Sequence, residues 1–344
     1  MLEERAGLQR VEVELGHGPE RAYVLTQLTG TVEVGDDVVV NTTAVELGLG
    51  TGGWHVVHWN LARSDWSEKG PGHIIKSRYT SLQSDVGSAE ESNSILDNLE
   101  SIDSMPVVVA ALHSQVPAVA VTVKKLAPSA RLVYVMTDAA GLPLAISDTI
   151  ADLNKRDLLS ATITCGHAFG GDFEAVSIFS ALAVARHIAK ADIAVVAMGP
   201  GIVGTNTRLG FSGMEVGPIL DAVRSLGGIP IAALRISFAD HRPRHYGLSH
   251  HSATALRIGT SGRVLIPVPV IGEPKEAQIR SELVKAGLDQ QHELIDVETL
   301  DVLELFNEYQ LDIVSMGRPA AADPVLFQAA AAAGALAVKY FEDQ

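Results

Sequence analysis

The chain has 344 residues, 47% of them hydrophobic, and 41 acidic against 26 basic residues give it a formal charge of −15. This negative balance disfavours nucleic acid and anionic membrane surfaces as partners, so neither is expected. No apolar run approaches the roughly 18 residues of a membrane span, and the opening MLEERAGLQR lacks the apolar core of a signal peptide. With Cys165 as its single cysteine, the sequence predicts a soluble, cytoplasmic protein in a reducing compartment.

Short extended segments separated by Gly, Asp and Asn turns occupy residues 11–60 and predict a small β-domain over residues 1–65. The segment GTVEVGDDVVVN, from Gly30, resembles the turn-and-strand signature of small β-barrels appended to translation factors and many enzymes. That resemblance implies a barrel-like domain. Residues 66–104 are polar and predict a connector with one strand near HIIKSRYTSL and a short helix near SILDNLES.

From residue 105 onward, compact β-branched runs alternate with helical periodicity. The predicted strands cover residues 107–112, 132–136, 161–164, 193–198, 229–234, 264–268, 293–297 and 312–315. Apolar strands separated by helices predict an α/β domain over 105–344, with a mostly parallel sheet and flanking helices. A doubly wound, Rossmann-like sheet is favoured, with a (β/α)8 barrel as the alternative. The final apolar helix, in PVLFQAAAAAGALAVKYF, is expected to be buried, and packing against a second subunit would make a homo-oligomer.

Both architectures place ligands beyond the carboxyl ends of the strands, so residues that follow strands are the candidates for a site. In TCGHAFGGDFEAV, Gly170 and Gly171 are expected to present backbone N–H groups to an anion at the start of a helix. Asp172 would cap that helix and Glu174 would lie in its first turn. The alternative is that these glycines only give the chain room to turn.

Cys165 and His167 are two residues apart in the same segment. This spacing allows a cysteine–histidine nucleophile pair, which makes His167 a candidate catalytic residue. The alternative is that Cys165 is a small buried residue.

The loop GPGIVGTNTRLGFSG contains the pattern G-x-G-x-x-G directly after a predicted strand. The capping pattern Ser212-x-x-Glu215 places the next helix start near Gly213, outside the pattern, so a nicotinamide-dinucleotide site is only an alternative. A loop of this length suits a phosphate, carboxylate or sugar better. Its candidate ligand-binding residues are Gly199, Gly201, Gly204, Thr205, Asn206 and Thr207.

The stretch ISFADHRPRHYGLSHH gathers histidines and arginines in an otherwise acidic chain. Ser249 is a predicted N-cap, so the dipole of the following helix should keep His250 and His251 neutral, as a general base or a metal ligand must be. The predicted catalytic residues here are His250, His245 and Asp240, and the predicted anion ligands are Arg242, Arg244 and His251. The alternative is a solvated basic loop.

A metal ion is a second possibility for this stretch. Asp240 together with His241 or His245 could hold a divalent ion. Zinc is less favoured than an anion, because the adjacent His250 and His251 cannot easily face one ion and their spacing matches no zincin pattern.

The segment DIVSMGRPAAADP resembles the Gly-Arg turn of flavin-dependent (β/α)8 oxidoreductases of the old yellow enzyme type, which often continues to Asp-Pro, here Asp323 and Pro324. That resemblance implies Arg318 as a phosphate contact. The combination of NTTAVELGLGTGG, GHAFGGDFEAV, GPGIVGTNTRLGFSG and ISFADHRPRHYGLSHH resembles a bacterial family of unknown function, and it implies no activity.

The sequence therefore predicts an enzyme, hydrolase- or transferase-like, that acts on a phosphorylated or carboxylated small molecule. A divalent metal ion is a candidate cofactor. The alternatives are a non-catalytic metabolite sensor and an NAD(P)- or flavin-dependent oxidoreductase. All of these require the glycine turns near residues 170 and 200 to meet the segment 240–251 around one cavity.

Overall fold

The computed structural model describes residues 1–50, 52–138 and 140–344. In chain order its strands are β1 (Glu3–Arg5), β2 (Leu8–Leu15), β3 (Gly18–Leu25), β4 (Val38–Asn41), β5 (His55–Asn60), β6 (Ile75–Lys76), β7 (Ser84–Asp85), β8 (Pro106–Ala110), β9 (Leu132–Thr137), β10 (Ala161–Cys165), β11 (Phe173–Ala175), β12 (Ile193–Met198), β13 (Ile229–Ala233), β14 (Ile236–Ser237), β15 (Gly247–Leu248), β16 (Leu265–Pro269), β17 (Glu293–Val297), β18 (Val314–Ser315) and β19 (Arg318–Pro319). Its α-helices are α1 (Thr26–Thr29), α2 (Thr43–Glu46), α3 (Ala89–Ser92), α4 (Val116–Leu126), α5 (Asp148–Lys155), α6 (Ile178–His187), α7 (Val216–Ser225), α8 (His250–Gly259), α9 (Lys275–Lys285), α10 (Leu288–Gln291), α11 (Val302–Glu308) and α12 (Pro324–Glu342).

Eight parallel strands form the central sheet in the order β11-β10-β9-β12-β8-β13-β16-β17. Helices cover both faces, with α4, α5, α11 and α12 on one side and α6, α7, α8 and α9 on the other. Strands that are buried on both faces need apolar residues throughout, as in PVVVA of β8 and IAVVAM of β12. The sheet is open, with β11 and β17 at its edges. The predicted α/β fold with a mostly parallel, doubly wound sheet is therefore confirmed, and the closed-barrel alternative is wrong.

The last predicted sheet strand, over residues 312–315, lies outside the central sheet. There β18 pairs antiparallel with β19. The two turn residues, Met316 and Gly317, both have positive φ angles of 52° and 76°, as a two-residue type I′ hairpin requires. The open sheet and this hairpin contradict the (β/α)8 barrel that the flavin-oxidoreductase resemblance implies.

Strand β11 lies at one edge of the central sheet, in a segment that the sequence predicts to begin a helix. The carboxylate of Asp172, the predicted N-cap, accepts hydrogen bonds from the backbone N–H (2.8 Å) and the hydroxyl (2.9 Å) of Thr162 in β10. These bonds hold the segment beside β10 as an edge strand. Helix α6 begins only at Ile178, where Ser177 is the N-cap. The predicted helix start at Asp172 is therefore wrong.

The strands β8 and β13 are neighbours in the middle of the sheet. Helix α4, which follows β8, covers one face, whereas α8, which follows β13, covers the other. The chain thus leaves the carboxyl ends of these two strands in opposite directions, which is the topological switch point where α/β sheets form ligand crevices. The side chain of Gln115 crosses this point and donates to the carbonyl oxygen of Leu234 (2.9 Å).

The N-terminal sheet has the order β1-β2-β3-β5-β4. In the segment GTVEVGDDVVV, only the final three valines belong to a strand, β4. Earlier in the segment, Gly30 and Gly35 turn the chain with φ angles of 70° and 101°. Arg5 ties this sheet to the central part by donating to the carbonyl oxygen of Ala145 (2.7 Å). The domain limits 1–65, 66–104 and 105–344 stay a prediction.

Among the described residues, α12 is the one helix whose length and apolar composition would allow it to cross a membrane. Two thirds of it, 67%, is buried inside the protein. It packs against α4 so closely that a Cβ added at Gly334 would lie 3.1 Å from the carbonyl oxygen of Val119. The predicted burial is confirmed, and contacts within the chain account for it. This arrangement is compatible with a soluble protein.

Candidate functional site

The segment after β13 folds back and brings three histidines together at the start of α8. Strand β14 pairs antiparallel with β15, and Gly247 takes a φ of 75° at the return, a conformation that strains most side chains. Ser249 caps α8 as predicted, because its Oγ accepts a hydrogen bond from the backbone N–H of His251 (3.2 Å). His250 and His251 therefore stand in the first helical turn, and the hairpin places His245 against both.

We call His245, His250 and His251 the three-histidine cluster. Its ring centroids are 5.0, 4.7 and 4.4 Å apart, and Phe211 stacks on His251 at 3.9 Å. One ligand atom from each histidine lies within 4.8 Å of the other two. The ring planes of His250 and His251 lie at 66° to each other. These distances do not support the expectation that the two adjacent histidines cannot easily face one ion, which stays a prediction.

All three imidazoles are neutral near pH 7. Burial, followed by the positive charge of Arg235, lowers the pKa of His245 to about 3 and the pKa of His251 to about 3. Burial, followed by the charge of Arg244, also lowers the pKa of His250. The sequence predicts neutral His250 and His251 from the dipole of α8. Burial and the neighbouring guanidinium groups make His245 neutral as well.

A hydrogen bond fixes where one of these imidazoles carries its proton. Nδ1 of His251 lies 3.3 Å from Nη1 of Arg235. A guanidinium group only donates, so this Nδ1 accepts and the proton of His251 is on Nε2. Nδ1 of His245 bonds to Oγ of Ser249 (2.7 Å). The Nε2 atoms of His250 and His251 are buried and have no hydrogen-bond partner in the protein.

Charged residues extend from the cluster through Arg235, which bonds to His251, and we call them the arginine network: Arg235, Arg242, Arg244, Arg318, Asp240 and Asp323. Arg242 grips Asp240 with its Nε (2.9 Å) and Nη2 (2.6 Å), and Arg235 reaches the same carboxylate at 3.6 Å. Arg318 lies 3.3 Å from Asp323 and 4.0 Å from Asp240. The hydrogen bonds from Arg242 hold the pKa of Asp240 far below its ordinary value.

The sequence predicts Asp240 as a catalytic residue or, with His241 or His245, as a ligand of a divalent ion. In the described structure its carboxylate bonds to Arg242 and faces guanidinium groups, and no hydrogen bond joins it to His241 or His245. Its contacts indicate that it positions arginine side chains instead.

The arginine network carries an excess of positive charge. Arg235, Arg242 and Arg318 face the two carboxylates, whereas Arg244 bonds to Asn206. Four guanidinium groups and two carboxylates leave two positive charges uncompensated within the network, in a chain of net charge −15. Nine buried side-chain N or O atoms of the described residues lack a hydrogen-bond partner, and four of them belong to this network and the three-histidine cluster. Two of the four are the Nε–H donors of Arg244 and Arg318. We call the network and the cluster together the His–Arg site.

The loop after β12 reaches the His–Arg site through its middle residues. Nη1 of Arg244 donates to the side-chain oxygen of Asn206 and approaches the carbonyl oxygen of Thr205 (3.5 Å). A Cβ added at Gly204 would lie 3.6 Å from the imidazole of His251. Thr207 bonds to Thr205 (2.8 Å) and so shapes the loop itself.

The first two glycines of the loop lie closer to β9 and the segment that follows it. A Cβ added at Gly199 would lie 3.1 Å from Sδ of Met136, and one added at Gly201 would lie 3.4 Å from Ala140. Helix α7 begins only at Val216. The G-x-G-x-x-G pattern therefore does not open a helix, and the geometry gives the nicotinamide alternative no support.

The structure does not bring Gly170 and Gly171 to the His–Arg site. They follow β10, which is four strands from β13 and thus roughly 19 Å away across the sheet. The N–H of Gly170 donates to Oε1 of Glu174 (2.5 Å), and the N–H of Gly171 donates to the hydroxyl of Thr164 (3.1 Å). Both glycines line a separate cavity of about 770 Å³. The expected meeting with the segment 240–251 therefore fails for the turn near residue 170. Of the loop near residue 200, only the middle residues Gly204, Thr205 and Asn206 approach that segment.

His167 is also remote from the three-histidine cluster. Its Nδ1 accepts a hydrogen bond from the N–H of Ser77 (3.0 Å). Cys165 is buried, and burial raises the pKa of its thiol to about 12. A thiol of that pKa is not a nucleophile near neutral pH, so the cysteine–histidine pair is unsupported and Cys165 is a small buried residue.

Sequence reasoning missed three residues of the His–Arg site. Arg235 stands two residues after the end of β13 and is almost fully buried, and a charged residue after an apolar strand was the available signal. Asp323 precedes the first proline of α12 and pairs with Arg318. Phe211 carried no signal, because only the folded loop places its ring on an imidazole.

The comparisons with known proteins place the chain in a family. A family model described as a protein of unknown function (DUF3866) matches residues 21–334, so the chain belongs to that family. No curated protein and no solved structure matches the chain. The family description assigns no activity, so a functional assignment depends on the geometry of the site.

Proposed function

We propose that this member of the DUF3866 family binds a small anionic molecule, phosphorylated or carboxylated, at the His–Arg site and acts on it as an enzyme. The observation that carries the proposal is the pair of buried guanidinium N–H donors, on Arg244 and Arg318, that find no acceptor in the part of the chain that the structure describes. Buried donors are nearly always paired, so an unpaired pair in a positively charged cluster indicates a missing acceptor. Phosphate and carboxylate are the acceptors that guanidinium groups fit best.

Position and charge support the same proposal. The His–Arg site follows β12 and β13 at the switch point of the sheet, where doubly wound proteins bind their ligands. An anion would neutralise the local excess of two positive charges. The loop carrying Gly204, Thr205 and Asn206 adds backbone and side-chain polar groups beside Arg244.

The enzymatic part of the proposal depends on the imidazoles beside the anion site. Neutral imidazoles can take or relay a proton, and His250 is the one of the three that is only partly buried. A ligand held by Arg244 would lie near this ring, because the next residue, His245, lies 5.0 Å from His250 between ring centroids.

Binding can be measured by thermal shift and calorimetry with inorganic phosphate first, and then with phosphorylated and carboxylated metabolites. We expect Arg244→Gln to weaken binding about 10- to 100-fold, since a charged hydrogen bond contributes roughly 1.5–3 kcal/mol. The matched control is Arg156→Gln, which removes the same charge from a guanidinium that bonds to the carbonyl oxygens of Tyr309 and Gln310. Equal binding by both variants, or no anion binding by the unmodified protein, would contradict the proposal.

Turnover of the compounds that bind tests the enzymatic part. We expect conversion by the unmodified protein and none by His250→Ala, with binding retained. Binding without conversion of any bound compound would overturn the enzymatic part and leave a metabolite sensor.

A further inference from the structure

We propose that the three-histidine cluster binds a divalent transition-metal ion of the zinc class. The proposal goes beyond the anion site, because it concerns imidazole nitrogens and not guanidinium groups. One ligand atom from each of His245, His250 and His251 lies within 4.8 Å of the other two. Imidazole ligands without a carboxylate suit zinc, cobalt, nickel or copper, whereas magnesium and calcium require oxygen ligands.

The nitrogens that would bind the ion are the ones without partners. Nε2 of His250 and Nε2 of His251 are buried and make no hydrogen bond with any of the described residues. His251 is only 6% exposed, so burying its Nε2 without a hydrogen bond costs free energy. Nδ1 of His245 is held by Oγ of Ser249 (2.7 Å), which leaves its Nε2 for the ion. A ligating histidine whose second nitrogen bonds to a neighbour is the usual arrangement in metal sites.

The distances require a modest closure. In a tetrahedral site with metal–nitrogen distances of about 2.0–2.1 Å, neighbouring ligand atoms are roughly 3.4 Å apart. The 4.8 Å limit of the cluster therefore has to shorten by up to roughly 1.4 Å. Rotation of the partly buried His250 ring, whose Nε2 is held by no hydrogen bond among the described residues, can shorten its distances to the other two ligand atoms.

Arg235 opposes metal binding in two ways, through its hydrogen bond to His251 and through its charge. Both effects weaken if its guanidinium group turns away from His251. Its hydrogen bond to Nδ1 of His251 keeps the proton on Nε2, so metal binding requires that proton to move to Nδ1. The guanidinium must then turn away, and the carboxylate of Asp240 lies 3.6 Å from it as an alternative partner. Its positive charge also repels a dication, so the fourth ligand should be an anion, either hydroxide or the anionic group of a bound molecule.

The test uses protein stripped with a chelator and then titrated with Zn²⁺ or Co²⁺ in phosphate-free buffer. We expect one ion per chain, visible absorption bands of tetrahedral Co²⁺, and three imidazole nitrogens at about 2.0–2.1 Å by X-ray absorption of the zinc form. His250→Ala and His251→Ala should each weaken binding by roughly 100-fold or more. The control His241→Ala removes an exposed histidine of the same segment and should leave affinity unchanged.

A second variant tests the assigned nitrogen of His251. Arg235→Gln removes the guanidinium and offers an amide oxygen to Nδ1–H, so it should bind the ion more tightly than the unmodified protein. No bound ion, fewer than three imidazole ligands in the unmodified protein, or affinity that is unchanged in His250→Ala and His251→Ala would overturn the inference. Phosphate binding is measured on chelator-stripped protein, so failure of the metal site leaves the proposed anion site standing, and failure of the anion site leaves this one. An ion on Nε2 of His250 would take the place of the proton-transfer role proposed for that residue, which belongs to the metal-free protein.

Discussion

Two charged clusters lie at the carboxyl edge of the same sheet, and they differ in whether their polar atoms are paired. Near β10, Lys76 is buried and donates to the carbonyl oxygens of Ala168 (3.0 Å) and Ala175 (3.3 Å), and its Nζ lies 3.4 Å from Glu174. The carboxylate of Glu174 also accepts from the backbone N–H of Gly170 (2.5 Å). We call Lys76 and Glu174 with these partners the Lys–Glu cluster.

The His–Arg site has the opposite character. Its Arg244 and Arg318 keep unpaired Nε–H donors, and two positive charges are left over. The comparison shows that charge and glycine at the end of a strand do not by themselves indicate a ligand site. What separates the two clusters is whether the protein satisfies its own buried groups, which it does at the Lys–Glu cluster and does not do at the His–Arg site.

The largest expected effect comes from breaking the satisfied cluster. Lys76→Met leaves the carboxylate of Glu174 buried without its cation and should lower the free energy of unfolding by about 3–5 kcal/mol, measured by urea denaturation. The double variant Lys76→Met/Glu174→Leu should recover part of that loss, because it removes the stranded charge as well. A single variant within about 1 kcal/mol of the unmodified protein would show that the cluster does not contribute to stability in this way.

A smaller stability effect is expected from the glycine turn beside the Lys–Glu cluster. Gly170 has a φ of 87°, and a Cβ there would lie 2.9 Å from Oε1 of Gln27. Gly170→Ala should cost about 1–2 kcal/mol in unfolding free energy, with phosphate affinity unchanged. Gly204→Ala, whose φ is not in the strained region, should cost less. If Gly170→Ala weakens phosphate binding instead, the two clusters are not separate.

Lowering the pH should reveal the contribution of the Asp240 carboxylate to the stability of the fold. Arg242 holds the pKa of Asp240 far below its ordinary value, so the ionised carboxylate stabilises the fold above the unfolded-state pKa near 3.9. That contribution is lost as the pH falls through the folded-state pKa. In Asp240→Asn, the fall in unfolding free energy on acidification below about pH 4 should be smaller by about 1 kcal/mol. If the unfolding free energy of both proteins falls equally as the pH is lowered below about 4, this assignment is contradicted.

The smallest stability effect is expected at Arg244. Arg244→Gln loses the bond to Asn206 but relieves repulsion within the arginine network, so its unfolding free energy should change by less than about 0.5 kcal/mol. Its phosphate affinity should nevertheless fall at least about 10-fold. A loss of stability as large as that of Lys76→Met would make Arg244 a structural residue, and the contrast between the clusters would fail.

The sequence predicted the central sheet well because strands buried on both faces leave a plain signal, as in the apolar runs of β8 and β12. It failed at the edge. Asp172 matches a helix N-cap in sequence, but it bonds to Thr162 and forms β11, and only the neighbouring strand could reveal that. Sequence alone treats Gly170 and Gly204 as equivalent candidates, because the order of the strands is not readable from local patterns.

The histidine-rich segment was identified from composition, and Ser249 from its capping position. The approach of His245 to His250 was not readable, because it depends on the return of the chain at Gly247. Arg235 was visible only as a charge after a strand, and its contact with Nδ1 of His251 is a property of the fold.

The most direct test of the unpaired donors is to observe them by ¹⁵N nuclear magnetic resonance of arginine side chains during titration with inorganic phosphate. The account predicts saturable shifts of the Nε–H signals of Arg244 and Arg318, which have no acceptor. The Nε–H of Arg156, which already donates to the carbonyl oxygen of Tyr309 (2.7 Å), should not move. Signals of Arg244 and Arg318 that stay in place, or that shift no more than the signal of Arg156, would contradict the account.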